Sequence, residues 1–225
     1  MELKRKWKNF QERIAGFFEE VQRTGSDIKH DIKVVKTDMY YEFIDFIAND
    51  SKIASKYKLI IILQLSSASR ISEILNLKKE DLYFGDTPLI SIKILKKRLT
   101  RTKNGTTCQL TPKRREAAVN EKILTLLKEW VLPLQAEDYI FANPKTGKPY
   151  SREGIWQQYQ QMFGSTTHGF RHSRINHMFE EHKLTVEEVA NVMQFSTREV
   201  AFKYNNTNIR KSAVNLANLD KHKAS

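Results

Sequence analysis

Among the 225 residues there is one cysteine, Cys108. A single thiol cannot close an internal disulfide or build a thiolate zinc site, so a reducing, cytoplasmic compartment is expected. Its setting, Thr106-Thr107-Cys108-Gln109-Leu110, reads as a strand position rather than that of a catalytic thiol. No apolar run is long enough to cross a bilayer, and the opening Met-Glu-Leu-Lys-Arg-Lys is too polar for a secretory signal. Repeats, low-complexity segments and clusters with metal-ligand spacing are also missing, so neither a metal nor another cofactor is expected.

Negative charge is the other scarcity. Asp and Glu total 26 against 38 Lys and Arg, a net charge of +12 and a pI near 9.6. This balance points to an acidic partner, nucleic acid first. From Lys93 to Lys122 the only acids are Glu116 and Glu121. Within that stretch Lys96, Lys97, Arg98, Arg101, Lys113, Arg114 and Arg115 are the candidate contacts to DNA phosphates. A hydrophobic content of 40% excludes a disordered polyelectrolyte, and the length suits one large domain with an appendage.

Apolar periodicity supplies the elements. Trp7, Phe10, Ile14, Phe17 and Val21 form a heptad-like stripe that predicts one helix over 3–23, followed by a polar linker over 25–36. Helices are expected from Thr37 to Asn49 and, buried all round, from Ile53 to Leu65. Ser66-Ser67-Ala68-Ser69 breaks the second, and Arg70 opens a short helix, Ile71–Leu77. Leu89–Ile94 is β-branched and reads as a strand. Lys103-Asn104-Gly105 is a hairpin turn, with Thr106–Leu110 returning. Helices are expected over 122–131, after a Ser151 cap, after a Thr167 cap, over 186–193 and over 197–204, with a short strand at Tyr139-Ile140-Phe141. The sum is an α+β fold, mostly helical, with a small antiparallel sheet.

Three regions carry residue types suited to phosphate chemistry. His168 and Arg171 lie three apart on one helical face, where a planar guanidinium and a proton-shuttling imidazole can meet one phosphate. Arg70 stands at a helix start. Tyr204 carries a hydroxyl able to attack phosphorus.

Taken in order, Ser67-Ala68-Ser69-Arg70-Ile71-Ser72-Glu73, the Lys103-Asn104-Gly105 hairpin, Tyr139-Ile140-Phe141 through Trp156, His168-Gly169-Phe170-Arg171-His172 and Phe202-Lys203-Tyr204 resemble the catalytic domain of the tyrosine recombinases (phage integrase family). The resemblance covers roughly 38–210. It implies an N-terminal helix and linker over 1–36, the catalytic domain over 37–210 and a tail over 211–225. It implies Arg70 and Arg171 as the phosphate clamp, His168 as general base or proton relay, Lys103 as the acid for the leaving oxygen and Tyr204 as nucleophile. Glu73 and Asp81 read as structural, holding Arg70 and capping a helix.

The implied partner is double-stranded DNA, held by a homo-oligomer, a tetramer, with no membrane involved. Relatives carry a histidine or tryptophan ahead of the tyrosine where this chain has Phe195, a residue that can pack under Tyr204 but not donate to a phosphate. Gln194 beside it is the candidate substitute donor. Relatives also carry a separate DNA-clamping domain, whereas only a short segment precedes the resemblance here. A silent DNA-binding relative, such as a regulator or excision factor, is therefore the second expectation. A type IB topoisomerase is the third, although its second box has lysine where His168 stands.

Since phosphate contacts dominate, DNA affinity should be modest and fall at least tenfold between about 50 and about 200 mM salt. Binding isotherms that do not move over that range would contradict it.

Overall fold

The structure, a computed structural model, describes residues 2–22, 31–95, 98–102, 105–109, 113–195, 200, 201 and 204. Helix α1 spans Glu2–Ala15 and buries Phe10 and Ile14. It stops earlier than its stripe predicts. At Gly16 the chain turns, with the Phe17 N–H on the Ile14 carbonyl at 3.0 Å, and enters strand β1, Phe18–Gln22. β1 pairs antiparallel with β2, Asp31–Val35, in the register Phe18↔Val35 to Gln22↔Asp31. The expected polar linker therefore contains a strand. Ile32, Val34 and Val35 are all buried there, and a linker would have left three β-branched side chains in water.

Helix α2, Tyr40–Asn49, and helix α3, Ser55–Ser67, build the centre. Leu59, Ile60, Ile61, Ile62, Leu63 and Leu65 in α3 are each wholly buried, as an apolar run interrupted only by Gln64 predicts. The small residues after it end the helix with Ala68 in the left-handed conformation, φ 50° and ψ 30°. Short helix α4, Ile71–Leu75, starts directly after Arg70.

The sheet differs from the expected hairpin. Strand β4, Leu89–Lys93, pairs with β3, Leu82–Tyr83, on one side and β7, Arg114–Ala118, on the other. The two strands flanking the Asn-Gly turn, β5 (Arg98–Thr102) and β6 (Gly105–Gln109), pair with each other and, among the described residues, with no other strand. The turn signal thus marks a hairpin inserted between β4 and its true partner. Tyr139 and Ala142 make isolated bridges to Lys78 and Pro149 instead of a strand.

Helices α5 (Leu124–Val131), α6 (Arg152–Phe163), α7 (Thr167–Glu180) and α8 (Val186–Met193) complete the described elements. Ser151 caps α6 as expected, its Oγ accepting from the Gly154 N–H at 3.0 Å. The cap of α7 is Thr166, one residue before the expected Thr167. Phe17, Phe18, Phe43, Phe163 and Phe170 form one aromatic cluster, with Phe18 edge-on to Phe43 at 5.3 Å and Phe43 stacked on Phe170 at 5.9 Å. The N-terminal segment is thereby built into the core rather than appended to it.

Strand β2 crosses the first turns of α7 at hydrogen-bond range. Ser165 Oγ donates to the Lys33 carbonyl at 2.9 Å, and Ser173 Oγ accepts from the Val35 N–H at 2.8 Å. A Cβ on Gly169 would fall on the Lys33 carbonyl oxygen. Gly169→Ala should therefore cost about 1–3 kcal/mol, as overpacking of a tight contact does. A urea melt matching the native chain would contradict the close crossing.

Candidate active site

Everything in this site hangs from α7 and the α3–α4 turn. Arg171 lies on the inner face of α7, only 2% exposed. Its Nη1 donates to the Ala68 carbonyl at 2.5 Å, and its Nε donates to the Tyr204 hydroxyl at 3.4 Å. The left-handed turn at Ala68 is what aims that carbonyl at α7. Two residues on, Arg70 is held by one carboxylate. Glu73 Oε2 accepts from the Arg70 N–H at 2.8 Å, and Glu73 Oε1 accepts from Arg70 Nη1 at 3.0 Å. Glu73 is buried while the Arg70 side chain stays 37% exposed, so the acid fixes a cation that still faces outward.

Tyr204, 9% exposed, packs among Ile175 and Met178 of α7 and Val189 and Met193 of α8. The Phe195 ring lies parallel to the Tyr204 ring at 5.8 Å, and the Arg171 guanidinium sits 5.5 Å from the Phe195 centroid. Phenylalanine here is a floor for the tyrosine and the arginine, and it offers no donor. Gln194 does not replace the donor in this arrangement: its Nε2 donates to the Arg114 carbonyl at 3.1 Å.

His168 stands 4.8 Å from His172, ring to ring, and His172 stands 4.5 Å from Tyr204. The two histidines bridge the tyrosine to the outer cleft. That cleft, about 680 Å³, is lined by Ile32, Arg70, Ile71, Ser72, Arg152, Glu153, Trp156, Thr166, Thr167 and His168. His172 was not singled out from sequence. Its position, four after His168 and next to Arg171, was the available signal.

The expected phosphate contacts divide. Lys113 is exposed, as a surface contact requires. Arg114 is half-exposed but engaged, its Nη1 on Asp81 Oδ1 at 2.6 Å and on the Ser91 hydroxyl at 3.1 Å. Arg115 is not a surface residue at all: it is 5% exposed, with Nη2 donating to Ser69 Oγ at 2.6 Å. The strand alternation turns Arg114 and Glu116 outward and Arg115 inward. Burial, with the neighbouring Arg171 and Arg70 adding to it and Glu73 opposing, pushes the Arg115 guanidinium down to about 10. Arg98 and Arg101 lie in β5, where the structure describes backbone only, and Lys96, Lys97 and Lys103 lie outside the described residues. Among the described residues no group of His, Cys, Asp and Glu is placed to hold a metal ion, and no helix is long and apolar enough to cross a membrane.

One further histidine of α7, His177, is buried and stacks on Tyr40 at 4.1 Å. Burial, then Arg174 and His182, hold its pKa down at about 4 against an ordinary 6.5. The folded state thus keeps the ring neutral. Its contribution to stability is complete above pH 6.5 and is lost as pH falls toward 4. Melting temperature should drop across that window, and His177→Phe, which keeps the stack, should flatten the drop. Parallel pH profiles for the two proteins would refute this.

The model of the phage integrase family matches residues 33–210. Among solved structures, the chain is similar to XerH site-specific recombinase in its post-cleavage complex with palindromic difH substrate. The TM-score is 0.58 at 19% identity, over 79% of this chain and 50% of that one. It is similar also to Tn1549 transposon integrase in complex with transposon right end DNA, with TM-score 0.54 and 17% identity, over 76% and 60% of the two chains. XerA recombinase gives 0.57 at 15% identity, over 81% and 64%. At such identities the likeness is one of fold. The chain spans about half the length of the XerH chain. No curated protein sequence matches it.

Proposed function

Starting from a chain that belongs to the phage integrase family, we propose that it is the catalytic part of a site-specific DNA recombinase that cuts and rejoins double-stranded DNA through a 3′-phosphotyrosyl intermediate. The observation that carries this reading is the contact between Arg171 Nε and the Tyr204 hydroxyl, across 33 positions of sequence, beside a second arginine held by Glu73.

In this reading the Tyr204 oxygen attacks the scissile phosphorus and the bond from phosphorus to the 5′-oxygen breaks. Charge building on the non-bridging oxygens is met by Arg171 and Arg70, whose guanidinium forks are fixed before DNA arrives. The tyrosine proton leaves through the histidine pair, His172 facing the ring and His168 facing the cleft. The 5′-oxygen takes its proton from a hairpin lysine, Lys103 by sequence. The 3′-phosphotyrosyl bond keeps the energy of the broken one, so a 5′-hydroxyl of another strand can reverse the step without an external energy source. Exchange between two duplexes calls for several copies of the chain, a tetramer in this proposal, with DNA held through exposed basic side chains such as Lys113.

A second reading, a DNA-binding relative that does not cleave, is favoured by one observation. Phe195 lies flat under Tyr204 and Gln194 is engaged with β7, so neither supplies the donor that relatives carry ahead of the tyrosine. A lost donor of this kind costs about 10²–10³ in rate, which slows the chemistry without relocating it.

The deciding experiment incubates the protein with a pool of nicked suicide duplexes of randomised sequence and looks for a covalent adduct. Adduct from the native chain, and a loss of at least about 10³-fold with Tyr204→Phe, is the expected outcome. Binding without adduct from the native chain would leave the silent reading standing alone.

A further inference from the structure

We propose that Arg115 is a positioning residue for strand cleavage, holding from behind the turn that carries both clamp arginines. The inference rests on the recombinase reading above and adds a member to the site that touches neither DNA nor the tyrosine.

The inward face of the sheet is otherwise aliphatic. Arg115 lies opposite Ile92 in the ladder, and Ile90 and Ile92 are wholly buried. An aliphatic side chain would suit that place, and a guanidinium there loses its hydration. What it gains is Ser69. The Ser69 hydroxyl, itself wholly buried, accepts from Arg115 and lies 2.8 Å from the Ser67 hydroxyl, which donates to the Leu63 carbonyl at 2.6 Å. Gln64 Nε2 adds a bond to the Ser69 carbonyl at 3.2 Å. This chain of contacts brackets Ala68, a non-glycine residue in left-handed backbone, a conformation that needs surrounding support. The Ala68 carbonyl aims Arg171, and the residue after Ser69 is Arg70. One buried cation therefore sets the turn from which both forks hang.

Its charge matters as well as its reach. Arg171 and Arg70 both bear electrostatically on the buried Arg115, with Glu73 as the opposing carboxylate. Three guanidiniums against one acid repel until an anion enters, and they repel least when that anion carries most charge, in the transition state. Buried at 5% exposure, Arg115 adds to this field without a DNA contact of its own.

The test uses the full chain and two assays: single-turnover adduct formation on the best duplex from the randomised pool, and binding to a random-sequence duplex across a salt series. Arg115→Met should cleave about 10²-fold more slowly at saturating DNA. Its salt slope should match the native one, because no phosphate contact is lost. Arg115→Lys, which keeps the charge, should recover at least about tenfold of that loss, and Ser69→Ala, which keeps the charge but drops the acceptor, should lose about tenfold. A salt slope lower by about one with native cleavage would make Arg115 an ordinary phosphate contact and overturn the proposal. Equal slowing in the Met and Lys variants would reduce it to packing, which also overturns it. Should Arg115→Met fail to fold, native rates in both Arg115→Lys and Ser69→Ala would do the same. A native chain that forms no adduct on any duplex removes the recombinase reading itself and this inference with it. A native chain that cleaves beside an unaffected Arg115→Met removes the inference alone.

Discussion

Burial of the Arg171 guanidinium is the constraint around which the site is arranged. A charged group at 2% exposure is tolerated only where acceptors replace water. Here they are a main-chain carbonyl, a tyrosine hydroxyl and an aromatic face, at Ala68, Tyr204 and Phe195. Each forces something on the chain. To present its carbonyl, Ala68 takes a backbone conformation usually left to glycine, which also ends α3 and starts α4. To bring in its hydroxyl, Tyr204 must fold back over α7 and α8. To floor both, Phe195 must follow the left-handed Gln194 that ends α8. None of the three is an acid that would neutralise the cation, so its positive charge is retained within the site.

The same helix is held from its other side by β2. Ser165 and Ser173 bond to the strand backbone, and Gly169 lets it pass where any side chain would collide. The glycine inside His168-Gly169-Phe170-Arg171 therefore has a packing reason, while Phe170 points into the aromatic cluster that also includes Phe17 and Phe18. The N-terminal segment and the arginine helix are coupled through that cluster, so a change at the far end of the chain from Tyr204 can reach the site through α7.

Legibility from sequence followed the strength of local signals. The apolar run of α3, the small-residue break, the Ser151 cap and the acid-held arginine were readable because each has a single local cause. The joining of Arg70, Arg171 and Tyr204 was readable only through resemblance, since nothing local ties positions so far apart. Three features were hidden. The stripe through Phe17 and Val21 continues a helical period across Gly16, yet those residues sit at and within a strand, because their partner strand lies inside a segment that reads as a polar linker. Arg114–Ala118 lacks the β-branched content of a strand, and the Asn-Gly hairpin next to it carries the stronger local signal. Arg115 sits in a run of basic residues, and composition cannot tell a buried guanidinium from a solvated one. Only the alternation of a strand not yet recognised would have turned it inward.

The departure at Phe195 has a structural counterpart. A histidine or tryptophan there would bring a ring N–H and, in this geometry, would lie under Arg171 and Tyr204 as the phenyl ring now does. With a phenyl ring the floor is apolar, so on that side the Arg171 guanidinium meets the ring's π-face, while its hydrogen bonds go to Ala68 and Tyr204. In the proposed mechanism, charge stabilisation then falls to the arginines and the histidine pair. A site built this way depends more heavily on how firmly its guanidiniums are held than one with a further donor. In this chain that firmness comes from neutral or buried groups behind the cage: the serines of the Ala68 turn, Glu73 beneath Arg70 and the inward-facing Arg115.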